Sequence, residues 1–215
     1  MSAPAALAVS KIVYPETEIE IVQNDKAINA AMANTISGDE INFIEAAANG
    51  AMLAVALVAN IVAVLIAFLA ILSALDALIA YLGSLAGWPE ASFEFLCGYL
   101  FFPVALVMRV PLNECHLIGR LLGLKNFANE FVAYVRMAEL RADNQLSERS
   151  VLISTYALCG FSNLASIGVQ LGGLTPLAPS RKSDLARVGF SAMVAGNIAC
   201  FMKACIAGIL YDVVN

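Results

Sequence analysis

The sequence has 215 residues, 60% of them apolar and only 13% charged, with a mean hydropathy of +0.80. Soluble domains carry about a quarter charged residues, so this chain cannot cover a water-facing surface and its composition fits lipid as solvent. A net charge of −5, with no basic patch carrying interleaved aromatics, leaves nucleic-acid binding without support. The five cysteines (Cys97, Cys115, Cys159, Cys200 and Cys205) show no zinc or redox spacing. An odd number argues against a full disulfide framework, so they read as small packing residues.

In chain order, residues 1–15 are small and apolar before Tyr14-Pro15, and they read as the end of a truncated transmembrane helix. They lack the basic start and clean apolar core of a signal peptide. Residues 16–45 carry seven acids against one base, Lys26, and form a polar connection. A turn signal at residues 36–39 precedes a helix beginning at Glu40. Residues 46–75 contain no ionisable side chain, and the apolar composition continues, apart from Asp76, to Trp88. This predicts one long helix, Glu45 to about Gly83, inside a unit spanning 46–88. At 1.5 Å per residue its uncharged part runs about 45 Å, more than a bilayer core of roughly 30 Å, which implies tilt. Asp76 is expected at the interface.

Residues 89–215 read as a second unit. Residues 92–108 predict a helix interrupted at Pro103, and Asn113 is a candidate cap for the next one. Residues 113–140 mix apolar groups with Glu114, Arg120, Lys125, Glu130, Arg136 and Glu139. That is too polar for a lipid-facing span and too apolar for a loop, so the expectation is a re-entrant hairpin. His116, the lone histidine, reads as an interfacial polar residue rather than a ligand. Residues 146–168 return to a spanning pattern, but Gly160, Ser162, Asn163 and Ser166 put polar and flexible groups at its centre. Such a segment predicts an unwound turn whose freed carbonyls need protein partners. Arg181-Lys182 marks a basic loop, and residues 189–210 form the last span, charged only at Lys203.

Polar groups at bilayer depth are expensive and mark substrate or ion pathways. Glu130 at the hairpin tip, with Asn163 and Ser166 three residues apart in the broken span, offers a carboxylate, an amide and a hydroxyl. Together they suit a neutral, hydroxylated solute, with Phe161 as an apolar wall. The plainer alternatives are that Asn163 and Ser166 only cross-link helices, and that Glu130 pairs with Lys125 or Arg136. Enzyme chemistry lacks its parts: there is no HExxH, no glycine-rich phosphate loop with lysine, and no GxSxG. No catalytic residue, metal ligand or resident cofactor is expected.

Several segments resemble the concentrative nucleoside transporters, in the family's order. They are residues 129–134 (NEFVAY), 157–163 (ALCGFSN), 178–184 (APSRKSD) and Ala195-Gly196, with the NGAMLAVALVANIVAVLIAFLA run of the long helix. The resemblance implies an all-α polytopic membrane protein, half of an inverted-repeat carrier with a re-entrant hairpin and a broken transmembrane helix. It implies a homotrimer in the plasma membrane that carries nucleosides by sodium- or proton-coupled symport. The family's ribose-contacting glutamate, asparagine and serine match Glu130, Asn163 and Ser166, and its phenylalanine near the base matches Phe161. Where many relatives read FANxSS, this chain has Ser162 and Ala165.

The family's GQTE-like hairpin and its sodium site are absent, so a C-terminal fragment or short isoform is expected, holding the ribose half of the site and unable alone to drive concentrative uptake. The alternative is a non-transporting membrane protein that assembles with a full-length relative and modulates it. The residues here do not set base preference.

The positive-inside rule places Arg181-Lys182 in the cytoplasm and the C-terminus outside. Cysteine labelling at Ser183 and Asn215, in a background without native cysteines, should modify Asn215→Cys from outside intact cells and leave Ser183→Cys protected. The opposite pattern reverses the orientation.

Overall fold

The structure is a computed structural model that describes residues 3–15, 42–88, 91–174 and 181–214. These residues form α1 (Ala3–Val13), α2 (Phe43–Leu85), α3 (Phe93–Leu100), α4 (Phe102–Val107) and α5 (Cys115–Phe127). They continue as α6 (Glu130–Ala142), α7 (Glu148–Leu158), α8 (Leu164–Leu174) and α9 (Lys182–Val214). The expected turn at 36–39 and the helix start at Glu40 lie outside the described residues.

Side chains with local hydrogen-bonding power set most helix starts. Asn42, Ser92, Asn129 and Ser147 accept from the backbone N–H three residues on, opening α2, α3, α6 and α7. The helix ends are equally local. Gly87, at φ +76, lets Trp88 N–H reach back to Gly83 O at 2.7 Å and closes α2. Asn144, at φ 55, does the same for α6, with Gln145 N–H donating to Leu140 O at 2.9 Å.

The long helix spans 43 residues, about 65 Å at 1.5 Å per residue. Asp76 near its end does more than face an interface: its Oδ1 accepts from Phe93 N–H at 2.6 Å and ties α2 to the start of α3. Pro103 lies in the first turn of α4, where a missing N–H is harmless, and the interruption falls just before it, at Phe101. Asn113 does not cap α5. The residue at that place is Glu114, and its carboxylate instead accepts from Ser147 N–H and Oγ at 3.1 and 3.0 Å, 33 residues away. The segment 146–168 is two helices, α7 and α8, separated by residues 159–163. The last helix, at 33 residues, is longer than its apolar stretch suggested. Among the described residues, its Lys182–Tyr211 portion is long and apolar enough to cross a bilayer.

α5 is the centre of the packing and touches α3, α4, α6, α7 and α8, while α9 packs on α1, α7 and α8. Ile118, Leu121 and Leu122 of α5 meet Ala133, Ile153, Ala157, Leu158 and Ala204 in the main core. The contact between α3 and α5 depends on glycine. A methyl group on Gly119 would collide with the Gly98 carbonyl, and one on Gly123 with Cys97. On its other side α9 presents Phe190, Val194, Ile198, Met202 and Ile206 at four-residue spacing, all exposed.

Gly119→Ala should therefore cost stability, by about 1–3 kcal/mol for overpacking. Gly50→Ala, where nothing lies within 4 Å, should be neutral or stabilise α2 by roughly 0.5–1 kcal/mol. Denaturant unfolding in detergent micelles compares the two, and equal effects would show that α3 and α5 do not rely on close approach.

Candidate functional site

Two helix starts and one helix break converge beside α9. Only Ala128 and Asn129 separate α5 from α6, and Asn129 Oδ1 caps α6 by accepting from Val132 N–H at 3.0 Å. That places Glu130 in the first turn, where a carboxylate faces the positive end of the helix dipole.

Across from it, α7 stops at Leu158 and α8 starts at Leu164. Asn163 and Ser166 open α8 by capping each other. Ser166 N–H donates to Asn163 Oδ1 at 2.7 Å, and Asn163 N–H donates to Ser166 Oγ at 2.9 Å. The Ser166 hydroxyl proton goes to Asn163 O at 2.7 Å. This is the reciprocal pattern of a capping box.

Asn163 still has its amide N–H groups, and Nδ2 donates to Glu130 Oε2 at 3.0 Å. Glu130 is 6% exposed, and its other oxygen, Oε1, is buried with no hydrogen-bond partner. An unmet carboxylate oxygen in a buried position is costly, and a ligand hydroxyl would satisfy it. Phe161 stands at the rim, 56% exposed, with its ring edge-on to Phe131 at 6.5 Å. Phe161 and Ser166 also line a cavity of about 260 Å³ between α8 and α9, closed by Ile167, Leu185, Val188 and Met193.

All four residues expected from sequence thus lie in one place, but in different roles. Glu130 offers the open acceptor and Asn163 the donor beside it. Ser166 spends its proton inside the chain and keeps only acceptor capacity. Glu130 has neither of the partners considered for it. Arg136 pairs with Glu139 at 2.7 Å and approaches Glu94, and Lys125 bonds elsewhere.

The break between α7 and α8 is held by residues not taken as site residues from sequence. Lys125 Nζ donates to Ser162 Oγ at 2.8 Å and to Asn197 Oδ1 at 2.6 Å. Asn197 Nδ2 donates to Ser162 O at 2.9 Å, and Lys203 Nζ to Cys159 O at 2.8 Å. The rule that polar groups in apolar segments are there for a reason applied to Asn197 as much as to Asn163. His116 packs edge-on against Phe95 and Tyr99 over Gly98, and its Nε2 is buried without a partner. Among the described residues, no cluster of three His, Cys, Asp or Glu side chains could hold a metal.

Comparison with known proteins gives a consistent result. The family described as Na+ dependent nucleoside transporter C-terminus matches residues 1–208. Solute carrier family 28 member 3 of Eptatretus stoutii is 47% identical over 98% of the chain and 32% of its own length. Sodium/nucleoside cotransporter 1 of Oryctolagus cuniculus is 41% identical over 98% of the chain and 33% of its own length. The chain spans about a third of these relatives. A solved structure of CNTnw in an inward-facing substrate-bound state superposes with a TM-score of 0.84 at 36% identity, over 98% of this chain and 48% of that one. These relatives are named as carriers and cotransporters, not enzymes, in agreement with the absence of catalytic motifs.

Asn163→Leu keeps the branching at Cγ, at a larger volume, but removes the cap and the donor to Glu130, so it should destabilise by about 2–4 kcal/mol, at least the sum of a lost cap and a further unmet carboxylate oxygen. Gln170→Leu, on the exposed face of the same helix, should stay within about 0.5 kcal/mol. Denaturant unfolding in micelles measures both, and a neutral Asn163→Leu would show that the bridge to Glu130 carries no weight.

Proposed function

The chain belongs to the sodium-dependent nucleoside transporter family, and from that premise we propose that it supplies the C-terminal part of an ion-coupled nucleoside symporter, driven by sodium or protons. In this proposal α5 and α6 form a re-entrant hairpin, α7 and α8 a broken transmembrane helix, and the two belong to one of two inverted repeats. Residues 46–88 serve as a scaffold helix and residues 89–215 carry the transport unit. The working assembly is a homotrimer in the plasma membrane, with the coupling ion held by residues outside this chain.

Glu130 and Asn163 hold the ribose, Ser166 accepts from it, and Phe161 lines the side where the base sits. The observation that carries this reading is the unmet Glu130 Oε1 beside the Asn163 amide. A vicinal pair of ribose hydroxyls can donate to Oε1 and accept from the remaining Asn163 N–H, which matches the donor and acceptor left open. Glu130 stands in the first turn of α6, so the positive end of that helix dipole lies beside its carboxylate. A ligand bound there also buries its ring against Phe161, which is more than half exposed.

Glu130→Gln tests this in the complete transporter. Hydrogen bonds to a charged group contribute about 1.5–3 kcal/mol against roughly 1 for neutral ones, so uridine affinity should fall about ten-fold or more at 1.4 kcal/mol per decade. A nucleoside lacking the ribose hydroxyls should lose far less. Both affinities, measured for wild type and variant, form a double-change cycle. Equal losses would place the ribose away from Glu130.

A further inference from the structure

Among the described residues, Lys125 is the largest side chain that the fold buries completely. Taking an ammonium out of water is costly unless its donors are met and its charge is balanced. Among the described residues no carboxylate lies within ion-pair distance of its Nζ. It donates to two neutral oxygens, Ser162 Oγ and Asn197 Oδ1, and lies beside the Cys200 thiol and the face of Phe201, whose ring centroid is 5.6 Å away, with Glu130 attracting it only from a longer range. A leucine or methionine would fill this volume without the cost, because the neighbouring core positions on α5 are Ile118, Leu121 and Leu122.

What the ammonium adds is a fixed point for the break. Lys125 takes hold of Ser162 by its hydroxyl, while Asn197 donates to the Ser162 carbonyl and accepts from Lys125. Three segments distant in sequence, α5, the break and α9, are thereby locked at one residue. The next residue is Asn163, whose amide meets Glu130 at 3.0 Å. The cap with Ser166 ties Asn163 to α8, but α7 has already ended at Leu158, so the direction in which the start of α8 presents that amide depends on how the Ser162 peptide before it is held.

We propose that Lys125 is a positioning residue for the substrate site, its ammonium fixing Ser162 and so the direction in which Asn163 presents its amide to Glu130. The proposal rests on the ribose reading above. Lys125 does not touch the substrate. It acts through Asn163 and Glu130, and its effect is therefore confined to the part of the ligand they hold.

The test uses the complete transporter and two probes, uridine and 2′,3′-dideoxyuridine. Lys125→Met should raise KM for uridine about ten-fold, the loss expected when a charge-assisted contact is misaligned. KM for the dideoxy probe and the maximal rate per transporter at the surface should change by less than about three-fold, the scatter expected of uncoupled sites. Lys125→Arg, which keeps charge and donors, should recover part of the uridine affinity. In a Glu130→Gln background, Lys125→Met should add less than about three-fold, because the contact it positions is already lost. Equal losses for both probes, or effects that multiply in the double variant, would overturn the proposal.

If Lys125→Met does not reach the membrane, Ser162→Ala removes one contact and leaves Lys125 in place. It should raise KM for uridine and not for the dideoxy probe, and no change in either would also overturn the proposal. If Glu130→Gln alone fails to separate the two probes, the ribose reading falls. The double variant then decides the proposal by itself: non-additive effects keep it and additive effects remove it.

Discussion

A helix broken inside an apolar environment frees backbone groups that water cannot satisfy, and the arrangement of this fold follows from where those groups find partners. At the break, the carbonyls of Cys159, Gly160, Ser162 and Asn163 are met from within the chain. Lys203 takes the Cys159 carbonyl, Ser162 N–H the Gly160 carbonyl, Asn197 the Ser162 carbonyl and the Ser166 hydroxyl the Asn163 carbonyl. Two of these donors, Asn197 and Lys203, stand on α9. The broken segment and the long final helix are thus one polar unit, although their surroundings are apolar. With those carbonyls met, the open capacity at the site lies on a side chain, Glu130 Oε1.

Apolar packing then fixes where that unit sits. α5 touches α3 through glycines, which bring the two backbones close without side chains between them. On its other faces α5 carries the large aliphatic residues of the main core. The ion pairs around this core are of a different kind. Arg141 with Glu148 and Arg136 with Glu139 lie on exposed side chains, where screening leaves little net stabilisation. The contacts that matter energetically are the close helix approach along α5 and the buried hydrogen bonds, which meet at the start of α6 and at the break. The site is therefore placed by rigid elements, with only short turns at the point of contact.

The exposed stripe of α9, from Phe190 to Ile206 at four-residue spacing, and the exposed apolar face of α2 are what the proposed architecture requires. A water-soluble chain would leave such surfaces as sites of aggregation. Lipid, or the remainder of a transporter, covers them without cost. The same helix face that looks unpartnered in this chain alone thus agrees with the composition that first pointed to a membrane.

Local chemistry was enough to determine much of this from the sequence alone. The long uncharged run became α2, since nothing in it interrupts helical hydrogen bonding. The cluster of Gly160, Ser162 and Asn163 marked a break because these residues stabilise non-helical backbone. Tertiary structure alone decided the partners. Lys125 and Ser162 are 37 residues apart and Lys125 and Asn197 are 72 apart, so no spacing rule could join them. Asn113 looked like a cap, yet Glu114 took that place and bonded Ser147 in another helix. Asn163 and Ser166 were three apart and read as sharing a face, and at a helix start that spacing also closes a reciprocal cap. Periodicity reports which residues share a helix face, and only the passage of one helix past another reports which polar groups meet.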